Sequence, residues 1–130
     1  MDNERKRPSF YRLLEQKRVS ASPLGYHHGV PGNGANFLQA HLHAGFTFPM
    51  HAHENEQFTY VLAGATRISF ADGTSPITLR AGEVAHIPGG IPHDLEVLED
   101  AVQIEIFAPA RNGLVQEMPT LDPGSSTGGE

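Results

Sequence analysis

Hydrophobic and polar residues alternate along most of the chain, in the pattern of half-buried β-strands. After Ala35, short runs of this kind occur at 37–43, 58–62, 66–70, 77–79, 84–87, 94–98 and 102–107. Glycine, proline and Asp-Gly turn residues stand between them. Short strands separated so regularly by turns are typical of an antiparallel sandwich or barrel. The pattern therefore predicts an all-β fold.

Residues 7–18 have a different pattern, with Phe10, Leu13 and Leu14 at spacings of three and four and Ser9 placed as a possible N-cap. This pattern predicts a short helix. A length of 130 residues suits a single domain. We predict an N-terminal arm or short helix over 1–34, a barrel over 35–118 and a disordered tail over 119–130.

Composition and charge exclude several classes of function. The chain has no cysteine, which rules out disulfide frameworks, thiolate zinc sites and cysteine nucleophiles. Residues 1–18 hold six basic and three acidic residues, so 19–130 hold the remaining three basic and twelve acidic residues, a net charge of −9. This body is too acidic for a nucleic-acid groove. Because no long apolar run is present, we expect no signal peptide, no membrane partner and a cytoplasmic protein.

The placement of the histidines suggests a metal site. His51 and His53 lie two apart, so an extended segment presents both imidazoles on one face, and the even spacing of Gln57 returns to that face. His93 lies in a second, turn-rich segment. Imidazole is the commonest protein ligand of divalent transition metals, and three such ligands leave coordination positions open for chemistry. Taken alone, the His-x-His pair is equally compatible with two surface imidazoles.

Two blocks of spaced residues strengthen the metal interpretation. The first runs Gly45, His51, His53, Gln57 and Gly64, and the second runs Gly82, Pro88, Gly90 and His93. Over about 35–110, these blocks resemble the two motifs of the cupin superfamily. The resemblance implies a small single-domain jelly-roll β-barrel that holds one metal ion through His51, His53, Gln57 and His93. Gln57 replaces the usual glutamate of the first motif, and Val97 replaces the usual asparagine of the second.

The exchange of glutamate for Gln57 bears on the chemistry. Four neutral ligands leave a divalent ion its full charge, which favours Lewis acidity over a higher oxidation state. Gln57 could instead hydrogen-bond a metal-bound water. The ligand set accepts zinc, nickel, manganese, cobalt or iron, and the sequence does not choose between them.

Candidate catalytic and pocket residues lie on two predicted strands. In the last strand Gln103, Glu105 and Phe107 share a face, which makes Glu105 a candidate general acid or base. Arg111 follows four residues after Phe107 and suits a substrate carboxylate. The alternatives are an exposed carboxylate on an edge strand and a solvated arginine.

The histidines outside the candidate metal set are predicted to be pocket, structural or exposed residues. Gln39, His41 and His43 share a face of the strand over 37–43. Gln39 and His41 are predicted to line the substrate pocket, although a structural imidazole is the favoured interpretation of His41 and His43. His27 and His28 lie in a glycine-rich stretch and are expected to be exposed.

A narrower resemblance concerns the run from His51 to Gln57 and the run from Glu105 to Arg111, which look like the KdgF family of small cupins. That family converts 4,5-unsaturated monouronates to linear ketonized sugars. The resemblance implies Glu105 and Arg111 as catalytic residues, Phe107 as a pocket wall and a homodimer, with Glu105 standing where the family has aspartate. Two alternatives remain: an iron or manganese dioxygenase acting on a small phenol or diketone, and a non-catalytic cupin that binds a small ligand.

Overall fold

The structure, a computed structural model, describes residues 7–111, and these residues form an antiparallel β-barrel of the jelly-roll type. The predicted all-β fold is confirmed. One three-residue 3-10 helix, Leu13–Glu15, precedes the strands β1 (Val19–Ser22), β2 (Gly25–Pro31), β3 (Asn36–Leu42), β4 (Thr47–His51), β5 (Glu56–Ile68), β6 (Ile77–Arg80), β7 (Val84–Ile87) and β8 (His93–Ala108).

Two long strands, β5 and β8, organise the sheet. They pair with each other along most of their lengths, and the strand order is β1-β2-β3-β8-β5-β6. The first half of β8 also pairs with β4, and its second half pairs with β3. β5 pairs with β7 in its first half and with β6 in its second. Each long strand is therefore shared between different neighbours, and this closes the sheet around a core.

Gly64 explains why β5 is continuous where the sequence predicts two strands and a turn. Its φ of +85° lies in the left-handed region, and the pairing between β5 and β8 shifts register around it. A Cβ at this position would lie 2.0 Å from the Asp100 carbonyl oxygen. Gly64 therefore makes a bulge that bends β5 without ending it.

Two apolar clusters fill the barrel. One consists of Ala40, Leu42, Phe46, Val97 and Ala101, and the other of Val61, Ile68, Leu79, Ala85 and Ile87. The half-buried Leu95 packs against both. Val97, where cupins usually have asparagine, is thus a core residue.

The N-terminal segment differs from its prediction. The predicted helix over 7–18 is reduced to the single turn Leu13–Glu15, which begins after Arg12 and not after Ser9. The apolar residues Phe10 and Leu14 are exposed, so a longer helix would bury no face. Short helices without tertiary packing are marginal in water. β1 and β2 extend the sheet into the segment predicted as an arm.

The predicted disordered tail over 119–130 lies outside the described residues. Within residues 7–111, the only helix is the 3-10 turn, and it is too short to cross a membrane.

Candidate metal centre and its cavity

Three histidines converge at one end of the barrel. His51 ends β4, His53 lies in the loop that follows, and His93 begins β8. The pairing of β4 with β8 sets His51 directly opposite His93. One nitrogen from each imidazole lies within 4.8 Å of the corresponding nitrogens of the other two. Residues 42 positions apart in sequence are thus brought to a spacing that a single metal ion can bridge.

Backbone carbonyls orient all three imidazole rings. Each Nδ1 is hydrogen-bonded to a carbonyl oxygen two residues away: His51 to Pro49 at 2.9 Å, His53 to Asn55 at 3.0 Å and His93 to Ile91 at 2.8 Å. A carbonyl only accepts, so each Nδ1 carries the proton and each Nε2 presents a lone pair. Neutral imidazoles fixed in this tautomer are suited to bind a cation through Nε2.

Burial favours the neutral form of two of these imidazoles. Desolvation lowers the pKa of His53 and that of His93, and the neighbouring His51 lowers both further. The Nε2 atom of His93 is buried and has no hydrogen-bond partner. A buried polar atom without a partner is costly, and a bound cation would satisfy it.

Gln57 completes the donor set. Its Nε2 donates to the buried Thr59 hydroxyl at 3.0 Å, and this contact turns Oε1 towards His53. Oε1 lies 3.1 Å from His53 Nε2. When His53 carries its proton on Nδ1, both atoms are acceptors, so a cation between them relieves their repulsion. The residues present therefore fit a divalent metal ion bound by three imidazoles and one amide oxygen.

A cavity of about 810 Å³, counting the open space at its mouth, lies beside the histidines. His51, Gln57 and His93 line it together with Glu105, Phe107 and Arg111. Three of the four candidate metal ligands and the candidate catalytic residues therefore face the same space.

A buried hydrogen-bond chain holds the Glu105 carboxyl. The hydroxyl of Thr66 donates to Gln103 Oε1 at 2.9 Å, and Gln103 Nε2 donates to Glu105 Oε2 at 2.6 Å. Thr66 and Gln103 are fully buried. Burial raises the pKa of Glu105, and the amide donor and nearby positive charges oppose that shift. Glu105 thus has the environment of a proton-transfer group.

Arg111 lies above the aromatic wall of the cavity. Its guanidinium carbon is 5.1 Å from the centre of the Phe107 ring. Burial lowers the pKa of Arg111, whereas the negative charge of Glu105 raises it. Arginine remains charged under such shifts, so this guanidinium places a positive charge at the cavity.

Residues 38–108 match the family described as the cupin domain. The chain belongs to the cupin family. This match covers more than half of the sequence, and it includes all four residues of the candidate metal set.

Solved structures of other cupins share the fold. KdgF from Halomonas sp. superposes with a TM-score of 0.73 at 24% identity, and the alignment covers 82% of this chain and 100% of that one. An RmlC-like cupin from Shewanella frigidimarina gives 0.73 at 20% identity, covering 82% of this chain and 95% of that one. A Bacillus subtilis oxalate decarboxylase variant gives 0.72 at 18% identity, covering 85% of this chain and 32% of that longer one. A search of curated proteins finds no match.

Two residues predicted to line the substrate pocket of this cupin do not do so. Gln39 and His41 lie on the opposite face of β3 from the cavity, which Leu38, Ala40 and Leu42 line instead. His41 stacks on Tyr26 with ring centroids 4.9 Å apart, and its Nε2 lies 3.3 Å from the Gln39 amide nitrogen. Because side chains alternate along a strand, burying the apolar face of β3 turns Gln39 and His41 outward.

The structure places His27 and His28 differently from the expectation that both are exposed. His27 lines the cavity, and a positive charge on it lowers the pKa of Glu105. His28, expected to be exposed, is buried and hydrogen-bonded to the Gln16 carbonyl oxygen at 2.7 Å. Alternation along β2 separates the two residues, with Gly25 and Gly29 on the face of His27. A strand predicted over residues 25–31 would have placed His27 and His28 on opposite faces, one of them buried.

Proposed function

We propose that this cupin is a metal-dependent, non-oxidative enzyme that converts a small unsaturated uronate to a linear keto sugar. The observation that carries the proposal is one cavity lined by a neutral donor set, a carboxyl group and a guanidinium. The resemblance of the ligand run and the last strand to KdgF proteins supports the choice of substrate. The shared fold with the Halomonas protein agrees with it.

The proposed reaction is an isomerisation, so it needs no oxidant. The bond between the anomeric carbon and the ring oxygen breaks as the anomeric hydroxyl loses its proton and the ring oxygen gains one, which yields an aldehyde and an enol. The enol hydroxyl then loses its proton and C4 gains one, which yields the ketone. A divalent ion bound by the histidines and Gln57 would supply Lewis acidity at a substrate oxygen.

Each protein group has a separate task in this scheme. Arg111 binds the substrate carboxylate through its planar fork, and its position over Phe107 places the sugar against the aromatic wall. Glu105 accepts a proton from a hydroxyl and delivers a proton to carbon, a double task that a raised pKa favours. The side chains of Leu38, Ala40 and Leu42 in β3 add an apolar wall to the site.

An anaerobic assay tests the proposed function. We expect the protein loaded with zinc, nickel, manganese, cobalt or iron(II) to accelerate loss of the ultraviolet absorbance of a 4,5-unsaturated monouronate. The product should have the same mass as the substrate. Protein-free and chelator-treated samples are the controls, since the substrate also isomerises spontaneously.

Two results of this assay contradict the proposal. Oxygen consumption with iron(II) or manganese and a phenol or diketone, without uronate turnover, would assign a dioxygenase. Failure of every metal to support turnover, together with saturable uronate binding, would assign a ligand-binding cupin.

We also propose that two copies pair through the outer face of β3, β8, β5 and β7. Exposed apolar side chains there form a continuous patch, namely Phe37, Phe58, Tyr60, Leu62 and Val84, each 37–57% exposed. Strand register places Phe37 and Phe58 on either side of Ile106, and Tyr60 between Ile104 and Val84. Residues 19–130 carry a net charge of −9, whereas the charged groups beside this patch include a Glu56 carboxylate that His86 already contacts at 2.9 Å, so two copies should repel less here than elsewhere.

The oligomeric state in solution tests this pairing. We expect the wild-type protein to sediment as a dimer and Tyr60→Glu to sediment as a monomer, because pairing would bury two new carboxylates. Leu14→Glu is the matched control, since Leu14 is also exposed but lies in the 3-10 turn, away from this face. A monomeric wild type, or a dimer unaffected by Tyr60→Glu, would refute the proposed interface.

A further inference from the structure

A buried asparagine, Asn36, forms hydrogen bonds with the backbone of Arg111. Asn36 begins β3 and is only 2% exposed. The Arg111 N–H donates to Asn36 Oδ1 at 2.8 Å, and Asn36 Nδ2 donates to the Arg111 carbonyl oxygen at 3.5 Å. One side chain thus contacts both backbone groups of a residue 75 positions away, and the 2.8 Å bond to the N–H is the stronger of the two.

A second buried asparagine links the same segment to the metal ligands. The side chain of Asn55 donates to the Pro109 carbonyl oxygen, and its own backbone carbonyl holds His53 Nδ1 at 3.0 Å. Asn55 therefore contacts both the run Pro109–Arg111 and one imidazole of the candidate metal set.

These contacts matter because Arg111 lies beyond the sheet. β8 ends at Ala108, so no strand pairing holds the residues that follow. The side-chain amides of Asn36 in β3 and Asn55 in the loop before β5 supply hydrogen bonds where strand pairing is absent. A buried amide without its partners is costly, which makes the native geometry of this segment strongly preferred.

We propose that Asn36 and Asn55 are positioning residues that fix the distance between the Arg111 guanidinium and the histidine cluster. This distance then determines which anionic substrates fit. A substrate fits when the separation between its carboxylate and the oxygen that would contact a bound metal matches the distance between Arg111 and the histidines. The inference deepens the proposed function and rests on it for the identity of the substrate. A misplacement of about 1 Å at such a group can cost about 10²-fold in rate or affinity.

A double-mutant cycle tests the assignment. We expect Arg111→Ala to raise KM for the uronate by about 30-fold or more, the effect of losing a charge-assisted bidentate contact. Asn36→Ala should raise KM by about 10-fold with kcat within about 3-fold. Adding Asn36→Ala to Arg111→Ala should raise KM no further, because Asn36 acts through Arg111. The methyl ester of the substrate should show little response to either change.

Conservative variants separate positioning from a general role in folding. Asn36→Asp keeps an oxygen that accepts the Arg111 N–H but loses the amide that donates to the Arg111 carbonyl oxygen, so we expect a KM between those of the wild type and Asn36→Ala. Asn55→Ala should also raise KM while metal stoichiometry stays the same, because the backbone carbonyl that holds His53 remains. If Asn36→Ala fails to fold, Asn36→Ser replaces it, and we expect the same increase in KM.

Crystal structures give a readout that needs no turnover. In Asn36→Ala, the Arg111 guanidinium should leave its place over Phe107. An unmoved guanidinium, additive effects in the cycle, or equal KM increases for acid and ester would each overturn the inference. If wild-type protein fails to act on uronates but Asn36→Ala displaces Arg111, the positioning role stands and the proposed function fails.

Discussion

Glu105→Gln is expected to lower kcat for the unsaturated uronate by about 10²–10⁴-fold, the usual loss when a positioned proton-transfer group is removed. The substituted amide fits the same space but neither accepts nor delivers the proton. The carboxyl is not among the candidate metal ligands, so metal content and KM should change little. Steady-state kinetics and metal analysis of the purified variant measure these quantities.

Glu105→Asp is the matched control, since it keeps the carboxyl and shortens the side chain by one methylene. We expect it to retain much more activity than the glutamine variant. Because burial raises the pKa of Glu105, the acidic limb of the wild-type pH–rate profile should lie above the pH at which an exposed glutamate titrates. A glutamine variant within 10-fold of wild-type kcat would remove Glu105 from the chemistry.

His93→Ala is expected to weaken metal binding by at least about 100-fold, more than the loss of a residue that only supports a metal ligand. His93 is buried, and its Nε2 has no other partner. Wild-type protein should bind one divalent ion and gain thermal stability from it, about 4 kcal/mol at a metal concentration 1,000 times Kd. The alanine variant should lose both the metal and its stabilisation.

His86→Ala supplies the control for this experiment. His86 is exposed, and its Nε2 lies 2.9 Å from Glu56 Oε1, outside the histidine cluster. Surface pairs of this kind contribute little to stability, so metal binding and the metal-dependent rise in Tm should remain. Calorimetric titration and thermal melts with and without metal compare the two variants. Equal metal affinity in His93→Ala and wild type would contradict the proposed metal centre.

Alternation along β8 illustrates how far sequence reasoning extends. The pattern assigns Gln103, Glu105 and Phe107 to one face, and in the structure Glu105 and Phe107 line the cavity while Gln103 is fully buried. The same rule assigns Gln39 and His41 to one face of β3, but there the polar face points outward. A period of two fixes which residues lie together, whereas only packing decides which face is buried.

Gly64 is a second position where the sequence predicts a local feature and the tertiary structure decides its form. In the sequence this glycine marks a change of direction in the chain and predicts a turn between two strands. Pairing of β5 with β8 on both sides of the glycine makes it a bulge within one strand. Such pairing depends on residues some 40 positions away, which no local pattern contains.

The sequence by itself determined the all-β class, the cupin motifs and the residues that converge as a candidate metal set, because these depend on local alternation and on spacing within short segments. Only the tertiary structure decided that β2 brings His27 to the cavity and that Asn36 and Asn55 hold the segment of Arg111. These contacts join distant parts of the chain through buried hydrogen bonds, and their partners become neighbours only when the barrel closes.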